Sequence, residues 1–191
     1  MHIESTRQQT GEWDPFLRRG VWYAFKVFIA LRVGTLVWII LLSLAGGRII
    51  SEPDVLCKSN ALLEGHLNLG VALGSWLRWD TICYLMIAEN GYAAYPGLTV
   101  WPPLYPFLIS LFSFIFTPPL LAALVISSLG TWLAFFLLYI FVTESRDEAT
   151  ARNTVFLYGV YPLAFFLVAG YTESLFLALV IGSFLCARKK A

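Results

Sequence analysis

Asp80 lies in the stretch Trp76 to Tyr92, WLRWDTICYLMIAENGY, and is the side chain best suited to proton transfer. A carboxylate there can take the proton of an attacking hydroxyl. Trp76 and Trp79 suit a membrane surface, where a lipid-borne substrate is met at headgroup depth. Apolar side chains at 79, 82, 83, 86 and 87 keep a helical period, which predicts an amphipathic helix in the interface, ended by Asn90-Gly91. The same residues allow a plainer role, with Asp80 as the N-cap of a helix starting at Thr81. The two roles are compatible. Glu89 falls on the opposite face of such a helix, at about 100° per residue, and is a poor acid–base partner.

Glu173, in Tyr171-Thr172-Glu173, is the better second carboxylate, although a solvated turn residue would look the same. Arg32 interrupts the first apolar run; it is a phosphate-binding candidate or a side chain that snorkels to the surface. Arg78 reads either as a phosphate contact or as a surface anchor. His66 has no clustered partner and reads as a loop residue. Trp101-Pro102-Pro103-Leu104-Tyr105-Pro106 is stiffened by prolines and offers an aromatic rim for sugar or prenyl chain. There is no Asp-X-Asp pair and no metal-ligand spacing, so neither metal nor cofactor is expected. Cys57, Cys83 and Cys186 read as small buried side chains.

The elements that hold these residues must live in a bilayer. Hydrophobic residues make up 59% of the 191 and charged residues 13%, against about 45–50% and 25% in soluble domains; mean hydropathy is +0.73. The net charge of +1 gives no basic excess and hence no nucleic-acid partner. The pattern predicts an all-α, polytopic membrane protein. Its four transmembrane helices are expected at 21–47, 120–142, 154–171 and 174–187, after a cytoplasmic tail over 1–20. Residues 48–119 form a large outer loop and 143–153 a cytoplasmic one. The segment 104–117 is too short to cross and is expected as a half-embedded helix. Arg18, Arg19, Arg146, Arg152 and Arg188 to Lys190 then share the cytoplasmic side. A cleaved signal peptide over 21–47 is disfavoured, because the run exceeds an h-region of about 7–15 residues. The last three spans hold no Asp, Glu, Lys, Arg or His, which weighs against ion-coupled transport.

Four blocks resemble the GPI mannosyltransferase 2 (PIG-V-like) family of the GT-C glycosyltransferase superfamily. They are RWDTICYLMIAENGY at 78–92, WPPLYPFLI at 101–109, the Arg-containing first span, and YPLAFFLVAGYTESLFLAL at 161–179. The resemblance implies a mannosyltransferase that takes its sugar, with inversion, from a polyprenyl (dolichyl) phosphate. The acceptor would be a lipid-linked glycan outside the cytoplasm, as in GPI-anchor biosynthesis. The catalytic base would be Asp80, with Arg32, Arg78, Trp79, Tyr84, Tyr105, Tyr171 and Glu173 as substrate contacts. The setting would be the endoplasmic reticulum membrane in a eukaryote and the plasma membrane in a prokaryote. Family members are longer and have more spans. The chain therefore corresponds to their N-terminal portion, or is completed by a partner subunit, or is a shortened homologue without activity. A non-catalytic subunit of a glycan-assembly complex and a lipid or small-solute transporter are the alternatives from other classes.

This topology is tested by single-cysteine labelling in intact cells. Position 173 should react with an impermeant reagent from outside while position 148 is spared, and labelling of 148 from outside overturns the arrangement.

Overall fold

The computed structural model describes residues 15–44, 76–77 and 79–188. Arg78, His66 and Cys57 lie outside them. Seven helices follow in order: α1 (Pro15–Leu44), α2 (Asp80–Ala94), α3 (Leu104–Phe112), α4 (Pro119–Ser145), α5 (Glu148–Val160), α6 (Phe165–Val168) and α7 (Glu173–Arg188). Single 3₁₀ turns sit at Pro96–Leu98 and Pro162–Ala164, and no strand occurs among the described residues.

Among the described residues two helices are long and apolar enough to cross a membrane, α4 and the Leu17–Leu41 portion of α1. They use their apolar surface differently. In α4, Ala123, Ser127, Gly130, Thr131, Ala134, Phe135 and Tyr139 are buried, and it packs against α1, α3, α5, α6 and α7. In α1, Trp22, Ile29, Val33, Val37, Trp38, Ile40 and Leu41 stay exposed. So much outward apolar area is compatible with lipid as the surrounding medium.

The expected third span over 154–171 is not one straight helix. The chain bends by 74° between α5 and the Pro162–Val168 segment, so the two count as one span only if a broken helix is allowed. Pro162 is the cause: it has no N–H for the helix ladder and pushes Tyr161 into extended backbone, with ψ 136°. The expected 143–153 loop is mostly helical as well. The Asp147 carboxylate accepts from the Thr150 amide at 2.9 Å and from its hydroxyl at 2.7 Å, an N-cap that starts α5 just two residues after α4 ends. The short segment at 104–117 is helical only to Phe112, about 14 Å of helix. The 16 residues of α7 reach about 24 Å.

Helix α1 runs antiparallel to α4, and α7 runs parallel to it. Arg19 pairs with Glu148 at 3.5 Å, the Tyr23 hydroxyl donates to the Arg152 carbonyl at 3.0 Å, and Arg188 donates to Ser145 Oγ at 2.7 Å. These contacts gather Arg19, Arg152 and Arg188 at one end of the bundle. Trp76, Asp80, Tyr171 and Glu173 lie at the other.

The contact of α4 with α7 depends on Gly130. A Cβ there would stand 2.8 Å from Ser174 Oγ and 3.2 Å from the Leu175 amide nitrogen, which is backbone and cannot swing aside. Gly130→Leu should therefore cost about 1–3 kcal/mol, read as a lower thermal midpoint in detergent, and an unchanged midpoint would contradict the close approach.

Candidate active site

The site is assembled where the N-terminus of α2 meets the turn before α7. Helix α2 begins at Asp80 itself. Trp79 occupies the capping position and its side chain makes no capping bond, so the reading of Asp80 as N-cap for Thr81 is not what the backbone adopts. Asp80 is instead an exposed acid in the first turn, where the helix dipole favours negative charge. Trp79 has φ 44°, a left-handed conformation rare for a bulky side chain, immediately before that acid. Such strain costs about 1–3 kcal/mol and persists only where surrounding structure imposes it.

The expectation of a one-sided amphipathic helix is corrected too. Seven consecutive residues, Thr81 to Ile87, are buried. The helix is wedged against α3, α4 and the Pro96–Leu98 turn, and kinks at Gly91, whose φ of 73° suits glycine. Tyr84 and Leu85, which the periodicity left outward, enter the core.

Around Asp80 the side chains converge from three elements. The Tyr84 hydroxyl hydrogen-bonds the Thr172 side chain, and burial, together with the charges of Asp80 and Glu173, holds that phenol well above its usual range. Burial, reinforced by the negative charge of Asp80, raises the Glu173 carboxyl above the usual carboxylate range, although Glu173 still reaches solvent. Glu173 thus senses the Asp80 charge across the mouth of the site. The Tyr84 ring meets the Tyr105 ring edge-on, with centroids 5.0 Å apart. The Tyr105 hydroxyl lies 2.9 Å from the Ala123 carbonyl and 2.6 Å from Ser127 Oγ. Ser127 in turn donates to the Tyr171 carbonyl at 3.0 Å, and the Tyr171 ring stacks on Phe166 at 5.4 Å.

Arg32 is placed differently from a phosphate ligand awaiting its substrate. It donates to the Val168 carbonyl at 2.8 Å, to the Leu124 carbonyl at 3.0 Å and to Ser128 Oγ, and lies over the Trp76 ring at 5.5 Å. Its donors are already used in tying α1 to α4 and to the end of α6.

An apolar cavity of about 750 Å³ runs along α1, walled on its other side by α5 and the Tyr161–Pro162 bend. Its mouth at the Asp80 end is lined by Trp76, Trp79, Thr81, Ala169 and Tyr171. The Thr81 hydroxyl is buried there with no hydrogen-bond partner among the described residues. An orphan hydroxyl beside a groove is a position for a polar ligand atom.

The structure brings together Asp80, Tyr84, Tyr105, Tyr171 and Glu173, with Trp79 at the groove mouth. It gives Arg32 a structural task. Thr81, Ser127, Ser128, Thr131 and Thr172 were not anticipated; the Ser-Ser-x-x-Thr spacing inside an otherwise apolar α4 is the signal that marks three of them. The cysteines also differ from expectation: Cys83 is disulfide-bonded and Cys186 is free and exposed. No group of metal-ligating side chains occurs among the described residues.

Described residues that are all-helical, with two apolar helices of membrane-spanning length, place the chain in the class of helical membrane proteins. More particularly, residues 24–190 match the family model described as Mannosyltransferase (PIG-V), and the chain belongs to that family. It therefore carries a membrane mannosyltransferase domain. No curated protein and no solved structure matches it.

The Arg32 assignment is tested by Arg32→Lys. One ammonium cannot reach three acceptors spread over two elements, so the variant should lose about 1.5–3 kcal/mol of stability in a thermal or denaturant melt. Native stability would show that the guanidinium is not a pin.

Proposed function

We propose that the chain transfers mannose from a polyprenyl-phosphate donor to a lipid-linked glycan, such as a GPI-anchor precursor, on the non-cytoplasmic face. The observation that carries this reading is the position of Asp80: exposed, at a strained helix start, beside a second carboxylate and at the mouth of an apolar groove. The outer half of the groove suits the prenyl chain and the mouth suits the phosphosugar. The acceptor hydroxyl gives its proton to the Asp80 carboxylate as its oxygen attacks the anomeric carbon. The bond from that carbon to the phosphate oxygen breaks, and the polyprenyl phosphate leaves with the electron pair. The configuration inverts and no covalent enzyme intermediate is needed. Tyr84, Tyr105 and Tyr171 shape the sugar site, Glu173 and Trp79 border it, and Arg78, outside the described residues, stays a phosphate-contact candidate on the family resemblance alone. Positioning and fixed dipoles supply the rate enhancement.

Two features support the sidedness. A disulfide such as that of Cys83 persists in oxidising compartments, outside the cytoplasm. The arginines at the other end fit the cytoplasmic side. Four crossings are reached when the bent α5–α6 segment and α7 each count as one.

Asp80→Asn and Asp80→Ala should each lower mannosyl transfer by about 10²–10⁴ while thermal stability stays near native, because Asp80 is not the helix cap. Near-normal transfer by the Asn variant would remove Asp80 from the catalytic role.

A further inference from the structure

At the end of the bundle away from Asp80 there is a second cavity, of about 370 Å³, between α1 and α5. It is walled by Arg18, Arg19, Trp22, Tyr23, Lys26 and Arg152. Four of these six are cations. Glu148 pairs with two of them, with Arg19 at 3.5 Å and with Arg152 at 2.7 Å. Arg18 and Lys26 form no ion pair among the described residues. Positive charge is therefore in excess here. The remaining walls are aromatic: Trp22 is exposed, as a ring at the membrane–water boundary is, and the Arg152 guanidinium lies over the Tyr23 ring at 5.6 Å.

The helix geometry explains why these residues meet. Arg18, Arg19, Trp22, Tyr23 and Lys26 recur at the spacing that keeps one face of α1, and side chains on a helix lean toward its N-terminus. Lys26 thus leans back toward the arginines. The cap at Asp147 fixes the start of α5, and Arg152 lies one turn in, on the face that Tyr23 contacts.

The second observation is continuity. Tyr23 and Lys26 line this basic cavity and also the long apolar groove. Above them the groove continues along Val27, Ala30 and Phe156. A basic chamber adjoining an apolar channel across Tyr23 and Lys26 matches one kind of ligand, a compact anionic head carrying a hydrocarbon tail. Free phosphate would leave the channel uncovered. A zwitterionic lipid would leave the charge excess uncompensated.

We propose that this is a binding site for an anionic glycerophospholipid of the leaflet at the Arg18 end. Its phosphate is held by Arg18, Arg19, Lys26 and Arg152, and one acyl chain lies along Val27 and Ala30 in the half of the groove remote from Asp80. The lipid bridges α1 to α5, adding to the Tyr23–Arg152 and Arg19–Glu148 contacts. The site stands apart from the transferase reading, because a donor phosphate belongs at the Asp80 end.

The test is native mass spectrometry of the full chain released from nanodiscs of phosphatidylcholine doped with phosphatidylglycerol. The native chain should retain phosphatidylglycerol in preference to phosphatidylcholine. Arg18→Gln with Lys26→Gln should lower that preference by roughly fivefold per charge removed. Arg18→Lys with Lys26→Arg should keep it, which separates lost charge from lost folding. Inorganic phosphate at millimolar concentration should not displace the lipid. Equal retention of the two lipids by the native chain, an unchanged preference in the Gln variant, loss of preference in the charge-preserving variant, or displacement by inorganic phosphate would each overturn the proposal.

Discussion

A guanidinium placed deep in an apolar helix must find acceptors within reach, and the packing of this protein is organised around that requirement. Arg32 finds its acceptors in backbone carbonyls rather than in a carboxylate: one at the end of α6, one inside α4, with a serine hydroxyl between. Carbonyls suffice because each is a strong acceptor in a region with little competing water. Leaving the charge unpartnered there would be far more costly than the strain of holding three segments together. The end of α6 supplies one of these acceptors: Val168 is its last residue, so the Val168 carbonyl is left out of the helix ladder and accepts from Arg32.

From that tie the rest of the outer end follows. The broken segment delivers Leu167 and Tyr171 to a ladder of hydroxyls on α4: Thr131 donates to the Leu167 carbonyl and Ser127 to the Tyr171 carbonyl. Tyr105 locks onto the same ladder from α3, and Tyr84 meets Tyr105 edge-on from α2. The start of α2, and with it Asp80, is thereby set against the turn that carries Glu173. The bend leaves space between α1 and α5, and that space is the groove. Interior hydrogen bonds and the lipid-facing cavity thus share one cause, a backbone discontinuity stabilised by a buried cation.

Much of this was legible in the sequence because it rests on long-range composition. The span at α4 is an uninterrupted apolar run, that at α1 is broken only by Lys26 and Arg32, and the glycine at 91 marks the kink in α2. Asp80, Tyr84, Tyr105 and Glu173 could be named because their block patterns resemble a family now matched over residues 24–190. What was missed depends on tertiary context. The break at Pro162 lay inside an apolar stretch and read as continuous helix. Burial of Tyr84 and Leu85 on the side of α2 expected to face out needs α3 and α4 to be in place. Arg32 could be recognised as costly but not as satisfied, since its acceptors are backbone atoms that no side-chain pattern advertises. The disulfide of Cys83 escaped because three cysteines in 191 residues give no framework to read.

The most direct measurement is mannosyl transfer by the purified protein in proteoliposomes, with labelled mannose offered either on a polyprenyl phosphate or on a nucleotide and an acceptor lipid extract present. If Asp80 acts as proposed at the mouth of the apolar groove, label passes to the acceptor from the lipid-linked donor and not from the nucleotide sugar. Transfer from the nucleotide sugar alone, or binding of the lipid donor without any transfer, would contradict it.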